Sequence, residues 1–356
     1  MLANLPMLKI GGHTPKYPII QGGMGVKVSS SRLAGAVAAN GGIGTIASVG
    51  LACDHPLFDG SNYFDVNEIA MSEAVEAARK SAPDGVIAVN CMTALTDYDR
   101  QVKSACRAGV DIIFSGAGLP MKLPEYTRDF PDVALVPIVS SVRAADLVIR
   151  KWKKQYGRRP DAIVVETPLY AGGHLGATRM EHVTDGAFSL EHVIPELVKY
   201  LEDNFDADIP VVGGGGIWNR ADMDRIFALG ARGVQIGTRL VCTEECDASD
   251  RFKQAYIDAK PEDIVVIMSP VGIPGRALET PFVEKYMEGE PQSKPCMAAC
   301  LSHCKYLESG ETFCIAHALV DAYLGDWENG LFFAGSNAWR CSKIDTVAGI
   351  FEELAG

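Results

Sequence analysis

The chain has 356 residues, 47% hydrophobic and 22% charged, enough for one large globular core with an appendage. A formal net charge of −12 excludes a nucleic-acid backbone or an anionic membrane as the main partner, but leaves room for a pocket that takes one phosphate. No basic segment leads into an apolar one at the N-terminus and no run reaches a membrane span, so a soluble cytoplasmic protein is expected.

In chain order, apolar β-rich runs predict strands at Ile19–Gln21, Ile43–Ala47, Val86–Asn90, Asp111–Ser115, Leu135–Ser140, Ala162–Glu166, Ile209–Val212 and Gly233–Ile236. Helix-period segments lie between them at Arg32–Asn40, Asn67–Ala82, Tyr98–Ala108, Val142–Tyr156, Leu190–Phe205 and Arg220–Leu229. A weaker pattern covers Met121–Phe130, and Ala248–Ala259 is expected to be the last barrel helix. This alternation predicts an α/β fold, a parallel sheet closed into a (β/α)8 barrel, with an open doubly wound sheet as the alternative. The insertion Ala52–Asp65 is long enough for a lid or for the contact of a homodimer. After Ala259 the alternation stops. Residues 1–259 are therefore assigned to the barrel, and 260–356 to a C-terminal extension with short helices such as Cys314–Leu324.

The stretch Ile209–Leu240, IPVVGGGGIWNRADMDRIFALGARGVQIGTRL, carries the strongest chemical signal. A buried strand runs into Gly213–Gly216, Asn219 stands where a helix N-cap belongs, and a second strand ends in Gly237-Thr238. Glycines admit close approach of a ligand to the backbone, and amides at a helix start favour an anion. The expected structure is a phosphate cradle, which in a barrel lies after strands seven and eight. At the end of strand one, Gln21-Gly22-Gly23-Met24-Gly25 lets amides approach a flat ring. Asn90 ends strand three, where its amide either faces the barrel mouth or caps a turn. After strand six, AGGHLG offers His174 as an acid or base, with Gly173 leaving room for a substrate over a cofactor. Glu166 at that strand's end either orients the loop or binds a cation, and it belongs with the cofactor contacts.

Together PIIQGGMG (18–25), NGGIGTI (40–46), AGGHLG (171–176), IPVVGGGGI (209–217) and GARGVQIGTRL (230–240) resemble the nitronate monooxygenase family, once called 2-nitropropane dioxygenase, which includes FMN-dependent enoyl-acyl-carrier-protein reductases. The resemblance covers roughly residues 5–275 and implies a TIM barrel with non-covalent FMN at its upper rim. It implies the FMN phosphate on Gly214, Gly215, Gly216, Gly237 and Thr238, the flavin ring near Gly22, Gly23, Met24 and Asn90, and His174 as the catalytic residue. One departure stands out. Monooxygenase members carry an acid four residues before the histidine, and here that position is Tyr170. The shared chemistry is a flavin oxidoreductase acting on a small molecule or an acyl thioester. It ends either in oxidation of alkyl nitronates or in enoyl reduction by NAD(P)H, which would visit the flavin face because no GxGxxG nicotinamide motif is present.

Four of the ten cysteines crowd together: Cys296, Cys300, Cys304 and Cys314 in KPCMAACLSHCKYLESGETFC. On a helix, steps of four would keep the first three near one face. Four thiolates hold a [4Fe–4S] cluster or a structural Zn²⁺, whereas the plain alternative is buried inert thiols. A cluster would suit a third class of protein, a flavin and iron–sulfur electron carrier or redox sensor. A fourth reading is a flavin-free barrel that binds a sugar phosphate.

Overall fold

The computed structural model describes residues 5–205, 208–290, 294, 296, 298–310 and 312–356. Its strands are β1 (Ile19–Gln21), β2 (Ile43–Ala47), β3 (Val86–Met92), β4 (Ile112–Gly116), β5 (Ala134–Val139), β6 (Ile163–Glu166), β7 (Gly173–His174), β8 (Val211–Gly214), β9 (Gly233–Ile236), β10 (Ile264–Met268) and β11 (Pro274–Leu278). Eight of them close a parallel barrel in the order β1-β2-β3-β4-β5-β6-β8-β9. Its connecting helices are α1 (Ser31–Ala39), α2 (Tyr63–Ser81), α3 (Tyr98–Arg107), α4 (Leu123–Tyr126), α5 (Val142–Tyr156), α6 (Leu190–Asn204) and α7 (Arg220–Ala228). The fold is a TIM barrel, and the open-sheet alternative falls away.

Side chains alternate across a strand, and that period decides what the barrel mouth is made of. Ile20, Ile43, Ala88, Ile112, Phe114, Val136, Val164 and Val212 point inward and pack with Leu8 and Ile10, which close the lower end. Their neighbours Ile19, Ile163, Val165, Val211, Val234 and Ile236 point outward, against the helices. Two residues further along each inward-facing row stand Gly22, Asn90, Gly116, Ile138, Glu166 and Gly214. Apart from Ile138, polar and small residues thus form the top layer at positions that lower down are filled by apolar ones.

The predicted strand seven sits two residues late. It covers Val211–Gly214, so Gly213 is a strand residue and not a loop donor. A Cβ on Gly213 would lie 2.7 Å from Ile226 and 3.0 Å from Ile194, so this glycine serves helix packing. Asn219 does cap α7, through a reciprocal capping box with Asp222. Within the insertion, α2 begins earlier than expected, at Tyr63. The preceding turns contact the chain's own C-terminal part through Asp54, whose carboxylate accepts from Tyr323 at 3.3 Å.

The remaining helices are α8 (Thr238–Val241), α9 (Asp250–Asp258), α10 (Pro281–Met287), α11 (Lys305–Ser309), α12 (Ile315–Leu324) and α13 (Val347–Ala355). The expectation that Ala248–Ala259 is the last barrel helix does not hold. Helix α9 packs against α12 and the turn at Ala338–Arg340, and α13 lies between α7 and α1. Val347, Ile350, Phe351 and Leu354 share the apolar cluster of the outer ring. Amphipathic spacing identifies a helix but not the groove that receives it. Over the barrel mouth, β10 and β11 form an antiparallel hairpin, and β11 adds to β7 through Gly275 with His174 and Arg276 with Gly173.

Candidate active site

One cavity of about 690 Å³ opens between the top of the barrel and the C-terminal extension, within the range of about 300–1,000 Å³ usual for cofactor and small-molecule sites. Gly22, Gly23, Met24 and Asn90 line one side of it, and Gly215, Gly216, Gly237 and Thr238 another. Glu166, Gly173 and His174 line it as well, and Gly214 lies just below, paired with Glu166 in the sheet. The predicted barrel residues are therefore brought together around one space.

Gly215 and Gly216 have φ of +102° and +78°, a left-handed conformation that side chains oppose. Among the described residues the amides of Gly215, Gly216 and Gly237 donate to no protein group. Three main-chain donors on the wall of a cavity, next to the start of α7, make an anion cradle. The C-terminal extension completes this end: the Gly335 amide donates to Thr238 Oγ1 at 3.2 Å, and Asn337 Nδ2 donates to the Gly216 carbonyl at 3.1 Å. On the opposite side of the cavity, a Cβ on Gly23 would lie 2.4 Å from that of Asn90, so only glycine lets this loop settle against Asn90. The side chains of Asn90, Glu166 and Gln235 face the cavity and make no hydrogen bond among the described residues.

His174 is held by two residues of the extension. Its ring lies edge-on to Phe333, with centroids 5.2 Å apart, and Nε2 is 2.8 Å from Ser269 Oγ. Ser269 Oγ also accepts from the Val271 amide at 3.3 Å. Among the described residues the Ser269 hydroxyl has no other acceptor, so it is assigned as donating to Nε2. The proton of the neutral imidazole then resides on Nδ1. Surrounding protein desolvates the ring and lowers its pKa to about 4, which keeps it neutral at pH 7. The same burial raises Glu166 to about 7, since a carboxylate loses more hydration than its neutral acid.

The loop that carries His174 is tied down by Arg276 on β11. This buried guanidinium donates to the carbonyls of Pro168, Leu169 and Ala171, and burial lowers its pKa to about 10. The sequence reading missed Arg276, Ser269, Phe333, Gly335 and Asn337, because nothing local marks an extension residue as facing a barrel mouth. Gln235 had a signal: strand periodicity puts it on the inward row.

The cysteine-rich segment differs from expectation. The described part of residues 294–304 is not helical. Around Leu301 it lies along the barrel rim, with Leu301 bridged to Leu95, and the amides of Thr96 and Ser302 bond to the Cys300 and Ala94 carbonyls. Cys300 lines the cavity, Cys296 and Cys304 are half-buried, and Cys314 is buried at the start of α12. Among the described residues no three His, Cys, Asp or Glu side chains form a group that could hold a metal ion. No described helix is long and apolar enough to cross a membrane.

Against known proteins, the family profile described as nitronate monooxygenase matches residues 7–356. A probable nitronate monooxygenase of Staphylococcus saprophyticus is 25% identical, with 77% of this chain and 78% of that protein aligned. A Mycobacterium tuberculosis protein named (3aS,4S,5R,7aS)-5-hydroxy-7a-methyl-1-oxo-octahydro-1H-indene-4-carboxyl-CoA dehydrogenase is 26% identical over 77% of this chain, which spans only 66% of that relative's length. Among solved structures, FabK from Thermotoga maritima superposes with a TM-score of 0.71 at 26% identity, covering 96% of this chain and 92% of that one. A nitroalkane oxidase from Streptomyces ansochromogenes, 20% identical with a TM-score of 0.71 and coverage of 96% and 95%, shares the fold.

Proposed function

This chain belongs to the nitronate monooxygenase family, and from that premise we propose that it is an FMN-dependent oxidoreductase that oxidises alkyl nitronates or related small anions. The observation that carries the reading is the cradle of unengaged amides at Gly215, Gly216 and Gly237, on the wall of the cavity that also holds His174. FMN fits it: Gly215, Gly216, Gly237 and Thr238 hold the phosphate, and Gly22, Gly23, Met24 and Asn90 lie along the ring. When bound, the flavin supplies the electron transfer that side chains lack.

The chain's own residues orient and stabilise. Ser269 fixes the His174 tautomer, so that Nδ1–H is a donor for a substrate oxygen that carries or gains negative charge. Arg276 holds the loop under that histidine, and β11 of the hairpin β10–β11 pairs with the strand that carries it. Tyr170 takes the place of the family's acid, so the loop brings no carboxylate next to the anion.

A second reading, reduction of an enoyl thioester by NAD(P)H, is favoured by the cavity's outer wall. There Leu95, Ile273, Ile315, Leu319, Leu331 and Phe333 offer more apolar surface than a small nitronate covers. Anaerobic stopped flow with NADH, NADPH and a nitronate in turn decides between them. Bleaching by the nitronate alone supports the first reading, and bleaching by a nicotinamide followed by turnover of an enoyl thioester supports the second. Purified protein that takes up no FMN would overturn both. His174→Ala should keep FMN and lose at least about a hundredfold in kcat/KM, the usual contribution of a positioned proton donor. Full turnover in that variant would remove the histidine from the chemistry.

A further inference from the structure

We propose that Glu166 and Gln235 form a hydroxyl-binding notch on the cavity floor, which holds the ribityl chain of FMN between the phosphate cradle and the ring. The inference rests on the flavin reading above and gives a role to two side chains that the reading leaves unused. Register puts them in one row: Glu166 on β6 pairs with Gly214 on β8, which pairs with Gln235 on β9. Two strand spacings separate the outer members, roughly 9.5 Å between their backbones. Gly214 leaves the middle of the row without a side chain.

Neither end of the row is satisfied by protein. Glu166 and Gln235 line the cavity and make no hydrogen bond among the described residues, although Gln235 is only 9% exposed. The Glu166 carboxyl is raised by burial alone, with no neighbouring charge or donor to answer it. Leaving a buried carboxamide or carboxyl unpaired is costly, so both point to a ligand that supplies the missing bonds.

The flanking glycines keep the space open. Gly213 is required by packing, and Gly215 and Gly216 by positive φ. Gly214 and Gly22 have no positive φ, and a Cβ added to either would meet nothing closer than 3.5 Å. Neither conformation nor packing within the protein therefore calls for glycine there. In both cases the nearest side chain is Gln235, whose Nε2 would lie 3.5 Å from the carbon added at Gly214 and 3.6 Å from the one at Gly22. Gln235 thus stands with bare backbone on each side.

Place and chemistry select the ligand segment. The notch adjoins the cradle, since Gly214 precedes Gly215 and Gln235 lies two residues before Gly237, while Gly22 belongs to the side assigned to the ring. Between the phosphate and the ring of FMN runs a chain of secondary hydroxyls. Each hydroxyl donates one hydrogen bond and accepts others; a carboxamide does both, and a carboxylate accepts. An anionic substrate does not fit, because an ionised Glu166 repels it, and an apolar acyl chain would leave both groups unpaired.

The test compares FMN with a flavin carried on a plain pentyl phosphate, which keeps ring and phosphate but lacks the hydroxyls. Binding to the full-length protein is read by flavin fluorescence quenching. Wild-type protein should bind the analogue at least about tenfold more weakly than FMN. Gln235→Leu and Glu166→Leu should each weaken FMN about tenfold and leave the analogue within about twofold, and Glu166→Gln, which keeps an acceptor, should recover most of the FMN affinity. Gly214→Ala should keep its Tm, since the added methyl clears the protein, yet bind FMN less tightly. Equal wild-type affinity for the two flavins, or leucine variants that weaken both alike, would overturn the notch and leave the flavin reading standing. Wild-type protein that binds neither flavin would overturn that reading and the notch with it.

Discussion

His174 and Glu166 are displaced in opposite directions by one cause, and their pH signatures should oppose each other. Glu166 rises from 4.5 to about 7, so the stability it confers is present below its unfolded pKa and lost as pH rises through about 7. His174 falls from 6.5 to about 4, so its contribution is present above 6.5 and lost as pH falls through about 4. Between about 4.5 and 6.5 the two slopes offset one another. Glu166→Gln should therefore expose a stability that climbs with pH in this window, and His174→Gln one that declines; denaturant titrations at several pH values that gave parallel curves would contradict both shifts. Ser269→Ala removes one neutral hydrogen bond from the imidazole, worth about 1 kcal/mol, and should lower kcat by on the order of tenfold at unchanged KM. Ser269→Thr should restore it, and ¹⁵N shifts of the His174 ring should report the loss of the Nδ1–H tautomer in the alanine variant alone. The sequence made His174 and Asn90 visible by their place at strand ends, but not Ser269, which lies 95 residues beyond its partner.

At the scale of single elements, the glycine run shows how much a strand's end decides. Gly213 belongs to β8 and packs on α6 and α7, while Gly215 and Gly216 leave the sheet with positive φ. Gly216→Ala places a methyl 3.0 Å from the Tyr170 ring in a left-handed backbone, a strain of about 1–2 kcal/mol. It should weaken FMN binding about tenfold and lower Tm, whereas Gly12→Ala, with nothing within 4 Å, should leave both unchanged. Equal FMN affinity in the two variants, measured by flavin fluorescence quenching, would detach the cradle from the cofactor. The eight barrel strands were legible because short apolar runs buried on both faces are a local property, whereas β7, β10 and β11 carried no such run that was read as a strand. The two-residue shift of β8 was not legible, since only its register with β6 and β9 fixes where the strand stops.

For the molecule as a whole, the extension matters as much as the barrel. Helix α13 covers the groove between α7 and α1, where Phe351 is buried against Gly42 and Tyr17. Phe351→Ala should cost about 3–5 kcal/mol in equilibrium unfolding, and a chain cut after Ala259 should be insoluble for want of that cover; a soluble, cooperatively folding 1–259 fragment would show the barrel to be self-sufficient. The sequence by itself determined the eight barrel strands, the helix between most of them, the glycine-lined end of the cavity and the place of the histidine on its wall, because strand and helix patterning, capping and glycine requirements are written in neighbouring residues. Only the tertiary structure decided that residues beyond 260 complete the outer ring, roof the cavity and orient His174. The contacts that orient His174 and close the outer ring join positions far apart in the chain, 95 residues for His174 with Ser269, and which surfaces meet depends on the closure of the barrel as a whole, which no local pattern encodes.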